Sequence, residues 1–337
     1  MLFLAIETSC DETSAAVFDD QPRIWSNVVA SQLREHERFG GVVPEVAARA
    51  HLRQLLPVIE EALRQAQVTL KQINAIAVMN TPGLVGALLV GVSAAKMLAV
   101  ALQVPLLAVN HIEAHIYACR LAAGENIFPC VGLVVSGGHT SLFHCASPLD
   151  FRLLGGTIDD AAGEAFDKVA AMLHLGFPGG PAVEKAAVPG NPKAFRFPRS
   201  FLKEPRLAFS FSGLKTAVRY ALRDLQAEGR EITPAVKADV AASFQAAVVD
   251  VLVAKCRQAL EHTGLDTLAV GGGVSANGPL RKALEEMMQQ QRGRLVIPPL
   301  VLCTDNAAMA ALAVEKWRAG LLAPLDLDAE PNFTTKQ

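Results

Sequence analysis

The sequence predicts an internally duplicated α/β protein, and two sets of paired segments carry that prediction. In the first set, Leu2 to Phe18 reads as an apolar strand, a hydroxyl-bearing turn (Thr8-Ser9-Cys10-Asp11-Glu12-Thr13-Ser14) and a second strand, Ala15 to Phe18. Val131 to Cys145 repeats this plan around the turn Ser136-Gly137-Gly138-His139-Thr140. In the second set, Ile73 to Met79 leads through Thr81-Pro82-Gly83 into a helix from about 84 to 102. Leu268 to Val270 leads through Gly271-Gly272-Gly273-Val274-Ser275-Ala276-Asn277 into a helix from about 279 to 290. Both are strand, small-residue turn, helix, which sets free backbone N–H groups beside each turn. Two such halves imply a cleft between them, with ligand over the turns.

Helices lie between the copies. Val43 to Ala66 is amphipathic, with Val46, Ala50, Leu55, Ile59 and Leu63 near helical period; carrying Arg49, His51 and Arg53, it is a candidate docking surface, with an intramolecular core role an equal alternative. Ile158 to Leu173 is a second helix, ending before Gly176-Phe177-Pro178-Gly179-Gly180-Pro181. The expected domains are 1–125, 126–302, a C-terminal helix at 303–323 that returns to the first half, and a loosely held tail at 324–337.

At 337 residues and 51% apolar composition, the chain can bury two cores. Its net charge of -2 means that any nucleic-acid contact must come from a local patch. Six scattered cysteines without a C-x-x-C pair read as reduced thiols of a cytoplasmic protein. Met1 to Glu7 lacks a basic leader and reads as a strand. Asn80-Thr81-Pro82-Gly83 breaks the uncharged run from Gln72 to Ala95, so no membrane association is expected.

His111 and His115, four residues apart, aim two imidazoles at one point if they share a helix, which is a metal-ligand geometry. A satisfied pair on the helix surface or in the core is the competing reading. A zinc-protease reading fails, because the general-base Glu of that pattern directly follows the first His. Here Glu113 lies two residues on, roughly 200° around the helix. The inverted pattern fails too, since Ala114 precedes the second His. Asp305 either caps the Ala-rich helix that follows it or completes a two-His-one-carboxylate set with open positions.

The Gly137-Gly138 turn suits a phosphate or acyl-phosphate cradle, although a plain hairpin turn has the same sequence. Three glycines at 271–273 favour close approach of a ligand to the backbone, and Asn277 suits an adenine edge. Asp11 and Glu12 are placed to accept a proton or help hold a cation; a solvated turn tip is the plainer reading. Lys193 to Arg223 holds eight basic residues interleaved with six aromatics, a mixture that can track a nucleic-acid backbone. Phe209 and Phe211 read as core positions of a strand, so the basic residues carry the RNA reading and most aromatics are packing.

Six motifs in register resemble the TsaD/YgjD family, bacterial relatives of the catalytic subunit of the KEOPS complex. They are Ile6 to Thr13, Asn110 to His115, Val135 to Thr140, Phe209 to Lys215, Gly272 to Asn277 and Cys303 to Ala307. The resemblance implies the fold shared by actin, sugar kinases and heat-shock ATPases (ASKHA), with two RNase H-like subdomains. It implies transfer of a threonylcarbamoyl group from threonylcarbamoyl adenylate to the exocyclic amine of the adenosine 3′ of the anticodon, in tRNAs reading codons that begin with A. Carried over by position, His111, His115 and Asp305 match the metal ligands, and Val134, Val135, Ser136, Gly137, Gly138, Asp167, Gly180 and Asn277 match the adenylate site.

The implied ligands are one divalent metal per subunit, Fe2+ favoured over Zn2+, and the adenylate or ATP in the cleft. The implied partners are tRNA, a TsaB-like paralogue in a heterodimer and a TsaE-like ATPase. Asp11 or Glu12 would receive the amine proton, and Arg196, Arg199, Lys203 and Arg206 would contact tRNA. An ASKHA-type ATPase or small-molecule kinase is the alternative, and it predicts rapid ATP turnover without tRNA. A non-catalytic RNA-binding module leaves the metal and glycine motifs unused.

Overall fold

A computed structural model describes residues 1–332 and divides the chain into two compact units. The first holds Met1–Asn126, Ser147–Phe151 and the chain from Pro298; the second holds Ile127–Ala146 and Arg152–Ile297. The chain thus leaves the second unit at Ile297, five residues before the sequence boundary at 302, and residues 147–151 belong to the first.

In the first unit, strands β1 (Leu2–Glu7), β2 (Glu12–Asp19) and β3 (Ile24–Ser31) form a meander. Helices α1 (Leu33–Glu37) and α2 (Pro44–Ala66) follow, then β4 (Ala75–Thr81), α3 (Val85–Leu102), β5 (Leu106–Asn110) and α4 (His111–Ala123). The sheet order is β3-β2-β1-β4-β5, antiparallel within the meander and parallel from β1 to β5.

The second unit is built from β6 (Cys130–Val135), β7 (Thr140–Ser147), β8 (Asp150–Gly156), α5 (Ala162–Leu173), α6 (Gly179–Ala187), α7 (Ser212–Ala227), α8 (Pro234–Thr263), β9 (Thr267–Gly271), α9 (Gly278–Gln291) and β10 (Arg294–Val296). Its sheet order, β8-β7-β6-β9-β10, reproduces the first with β6 in the place of β1. The duplication read from the paired turns is therefore a duplication of topology. Helix α10 (Leu312–Arg318) joins the first unit.

Alternation along the strands decides what each helix covers. Phe3, Ala5, Ala16 and Phe18 share a core with Tyr117 of α4 and the 307–314 segment. Leu4, Ile6, Ala15 and Val17 face the other way, onto α2 and α3 through Leu55, Ile59, Val92 and Ala95. Helix α3 is long and apolar enough to cross a membrane, with mean hydropathy 2.1, yet this packed face ties it to the sheet. In the second unit, Val131, Leu133, Val135, Leu268 and Val270 pack with Phe166, Phe209, Phe211 and Phe244.

Several sequence expectations are corrected. The predicted helix from Ile158 begins at Ala162, because Thr157 to Asp160 form a turn in which Thr157 Oγ1 donates to the Asp160 carbonyl at 2.8 Å. Ala208 to Phe211 is no strand; a single bridge pairs Phe209 with Thr157, and both phenylalanines are fully buried. The tail is held as far as it is described: Lys96 Nζ donates to the Leu327 carbonyl at 2.8 Å, and the Glu330 N–H to that of Asn80 at 2.8 Å. The remainder of the predicted tail, 333–337, lies outside the described residues. On the helix read as docking surface or core, His51 is completely buried and takes the core role.

Candidate metal centre and nucleotide site

The candidate metal centre is assembled where β5 turns into α4. Asn110 caps the helix, its side-chain oxygen accepting from the N–H groups of Ile112 (2.8 Å) and Glu113 (3.3 Å). That cap starts the helix at His111 and sets His115 one turn on, the two rings 4.6 Å apart. Asp305 arrives from the far end of the chain, its Oδ1 lying 3.5 Å from His111 Nε2 and 3.3 Å from His115 Nε2. One ligand atom from each residue falls within 4.8 Å of the other two.

Asp305 does not cap the helix after it. Asn306 takes that place without a side-chain bond, and the loop is stitched to the first sheet by Ala307 N–H donating to Ser14 Oγ (2.9 Å) and Ala308 N–H to Asn27 Oδ1 (3.2 Å). A strand core thereby fixes a carboxylate beside histidines almost two hundred positions away in sequence.

Glu7, which the sequence reading passed over, completes the arrangement. It is fully buried at the end of β1, and its Oε2 lies 3.0 Å from His111 Nδ1, with Ser9 Oγ 3.1 Å from the same nitrogen. The Ser9 N–H donates to its other oxygen, Oε1. A carboxylate on Nδ1 holds the ring so that Nε2 faces the other ligands, the carboxylate–histidine support typical of metal sites. The available signal was a lone Glu closing an apolar strand.

Carboxylates dominate the electrostatics of the cluster. Burial disfavours charge on His111, but the fields of Asp305 and Glu7 outweigh it and push the imidazole up to about 9. Burial holds His115 below the usual histidine range. Burial raises Asp11, helped by the Asp305 charge, and lifts Glu12 to about 8. Both ring nitrogens of His115 are buried without a hydrogen bond among the described residues. Two nitrogens and a carboxylate oxygen converging in an anionic pocket fit a divalent metal ion.

Asp11 and Glu12 are not a solvated tip. Glu12 Oε1 accepts from Ser31 Oγ at 2.9 Å, while Oε2 is buried with no hydrogen-bond partner among the described residues. The Thr8–Ser9 turn before them is clamped by α3: Thr8 Oγ1 donates to the Ala87 carbonyl and Leu84 N–H to that of Ser9. Gly83 permits this approach, since a Cβ there would overlap the Ser9 carbonyl oxygen.

The second unit gathers the residues matched to the adenylate site. Val134 and Val135 end β6, and the turn after them closes by Ser136 N–H to the His139 carbonyl (2.8 Å) and His139 N–H to Ser136 Oγ (3.2 Å). Gly137 and Gly138 stay exposed. Helix α5 abuts this turn through Gly163 N–H donating to the Ser136 carbonyl at 3.1 Å. Asp167 on α5 accepts the Gly179 N–H at 2.7 Å at the start of α6, beside Gly180, where a Cβ would meet open space.

Asn277 differs from expectation. Its oxygen caps α9 (Leu280 N–H, 3.0 Å), and its amide donates to Glu184 Oε2 (3.1 Å) and Gln245 Oε1 (2.9 Å). Its side-chain oxygen and amide are therefore both engaged by protein groups.

The basic segment is ordered. Arg206 lies 3.5 Å above the Phe201 ring centroid and pairs with Glu204 at 2.8 Å. Arg199 pairs with Asp250 at 2.7 Å, and Arg196 and Lys203 are exposed. Lys255, fully buried on α8, donates to the carbonyls of Glu204 (2.8 Å) and Arg206 (2.9 Å), fixing the loop from beneath.

A duplicated five-stranded unit, with a glycine turn in one copy and a His-His-Asp cluster able to hold a metal ion in the other, defines a protein of the ASKHA fold. Solved structures agree on the fold: full-length HypF in its phosphate- and nucleotide-bound form superposes with a TM-score of 0.61 at 15% identity, covering 94% of this chain and 46% of that one. Component A of the (R)-2-hydroxyglutaryl-CoA dehydratase of Acidaminococcus fermentans gives 0.54 at 14% identity, covering 95% and 98%. The family model described as "TsaD: tRNA N6-adenosine threonylcarbamoyltransferase" matches residues 23–312, and the chain belongs to that family. The tRNA N6-adenosine threonylcarbamoyltransferases of Rhodopirellula baltica and Bacillus subtilis are 53% and 50% identical to it. They cover 98% and 99% of this chain, which spans 97% and 95% of theirs.

Proposed function

We propose that this protein transfers a threonylcarbamoyl group from threonylcarbamoyl adenylate to N6 of the adenosine 3′ of the anticodon, in tRNAs reading codons that begin with A. The observation that carries this reading is the convergence of His111, His115 and Asp305 in a chain about half identical to named tRNA N6-adenosine threonylcarbamoyltransferases. We place it in the cytoplasm, where it meets its tRNA.

Transfer forms a bond from the amine nitrogen to the carbamoyl carbon and breaks the bond from that carbon to the phosphate oxygen, so that AMP leaves with the electron pair. His111, His115 and Asp305 would hold one divalent ion, a donor set that suits Fe2+ or Zn2+ and for which the family resemblance favours Fe2+, and the ion would supply Lewis-acid polarisation of the carbonyl. Ser136 to Gly138 cradle the phosphate with exposed backbone, supported by Val134, Val135, Asp167, Gly180 and Asn277. Glu12, raised to about 8 by burial, takes the proton released by the amine, with Asp11 beside it. Arg196, Lys203 and Arg206 offer phosphate contacts, while Arg199 braces the loop through Asp250.

A TsaB-like paralogue docks, in this reading, on the exposed apolar face of α2 and α3, which shows Leu52 and Leu56 on one helix and Leu89, Met97 and Val100 on the other. A TsaE-like ATPase joins that heterodimer. Mass spectrometry of tRNA nucleosides after depletion of the protein tests the activity. Loss of threonylcarbamoyladenosine is expected, and its persistence would sink the reading.

A further inference from the structure

Behind the Asp11–Glu12 turn lies a buried polar chain that links three side chains to the backbone of the turn. Thr13, Gln32, His36 and His51 are all fully buried. The Val43 N–H, at the start of α2, donates to His36 Nδ1 (3.2 Å), so the hydrogen of the neutral ring sits on Nε2 and points at Gln32 Oε1 (3.3 Å). The Gln32 amide is thereby oriented with its nitrogen toward His51 Nδ1 (3.2 Å) and Thr13 Oγ1 (3.4 Å), and the Thr13 hydroxyl donates to the same His51 nitrogen at 2.7 Å, so that Gln32 reaches the ring both directly and through Thr13. His51 Nε2 then faces the Cys10 carbonyl at 3.0 Å; a carbonyl can only accept, so that nitrogen carries the hydrogen. The Gln32 backbone N–H holds the next carbonyl, that of Asp11, at 3.1 Å.

We propose that His51, Gln32 and His36 are positioning residues for threonylcarbamoyl transfer, forming a one-way hydrogen-bond chain from the start of α2 to the Cys10 and Asp11 carbonyls that sets the reach of Asp11 and Glu12. The inference rests on the reading that those two carboxyl groups receive the amine proton. Burial holds His51 below the usual histidine range, which keeps the ring in the neutral form that the chain requires. A fully satisfied buried network is rigid, because each broken link leaves a desolvated polar group behind. A surface loop turn needs no such support. Two consecutive carbonyls tied from beneath fix the peptide that aims Asp11, and angstrom-scale misplacement of a catalytic group costs up to about 100-fold in rate.

The test is single-turnover transfer by the metal-loaded protein with its paralogue, supplied with adenylate and tRNA. His51→Ala should slow the chemical step at least about tenfold, with tRNA KM and bound metal unchanged. His51→Gln, whose amide can still donate to the Cys10 carbonyl, should recover most of the rate. A normal rate in His51→Ala overturns the proposal. So does an equal loss in both variants accompanied by loss of metal, which marks a purely structural role.

Should His51→Ala fail to fold, Gln32→Met breaks the middle link with both rings in place, and the same criteria apply. Nitrogen chemical shifts of the histidines in the unaltered protein give an independent check: the Nε2–H form is expected for His36 and His51, and the Nδ1–H form at either contradicts the chain. Asp11→Asn with Glu12→Gln is measured alongside. Full activity in that double variant rejects the proton-acceptor reading itself, whereas impaired transfer there with a normal His51→Ala rejects the positioning chain alone.

Discussion

Glu7 lies on the Nδ1 side of His111 and decides how that ring is presented. Glu7→Gln should keep the fold, since the amide retains an oxygen for the Ser9 N–H, but loses the charge that holds Nδ1–H. Metal affinity is expected to fall about 10- to 100-fold, read by metal competition titration, with little change in Tm. Glu12 carries a second prediction. Its carboxyl is raised to about 8 by burial, so the transfer rate should climb with pH through that value, and Glu12→Gln should remove the limb. The sign for stability is opposite. A carboxyl raised in the folded state favours folding below its unfolded pKa, near 4.3, and that contribution is lost as pH rises through about 8. Thermal melts of chelated protein against its Glu12→Gln variant measure this loss. His111 and His115 were legible from a spacing of four; Glu7 was not, because nothing in a strand pattern tells a buried acid which ring it will meet.

Among the elements, the turn after β9 is the most constrained. Gly272 sits at φ 95°, ψ 158°, a region open essentially to glycine, and a Cβ there would overlap the Val135 carbonyl oxygen. Gly272→Ala should cost at least about 1–3 kcal/mol in denaturant titrations and weaken nucleotide binding by displacing the end of β6. The glycine run was plain in the sequence. The capping role of Asn277 was less so: an Asn before Gly278-Pro279 is also a helix start, and the structure spends the side chain there. Hairpins and strand-helix units were readable because periods of 2 and 3.6 differ, whereas β3 and β8 escaped notice as edge strands with mixed burial.

For the whole molecule, the outer face of α3 matters most. Val85, Met97 and Val100 are more than half exposed, beside Leu52 and Leu56 of α2. Met97→Glu should leave the Tm of the isolated chain within about 1 °C, because surface changes cost little, while abolishing heterodimer formation in analytical ultracentrifugation. Retention of the heterodimer would move the partner elsewhere.

By itself the sequence determined the duplication, the family and the histidine pair, because each is written in local order: a repeated turn, six motifs in register, two histidines one helical turn apart. Tertiary structure decided which distant groups meet. It brought Asp305 to the histidines through a loop stitched to β2 and β3, set Glu7 behind them, buried His51 under the Cys10–Asp11 turn and docked residues 324–332 on the first unit. The physical reason is that burial and pairing are properties of neighbours in space, and a carboxyl or imidazole acquires its charge state and its partner when the core closes around it.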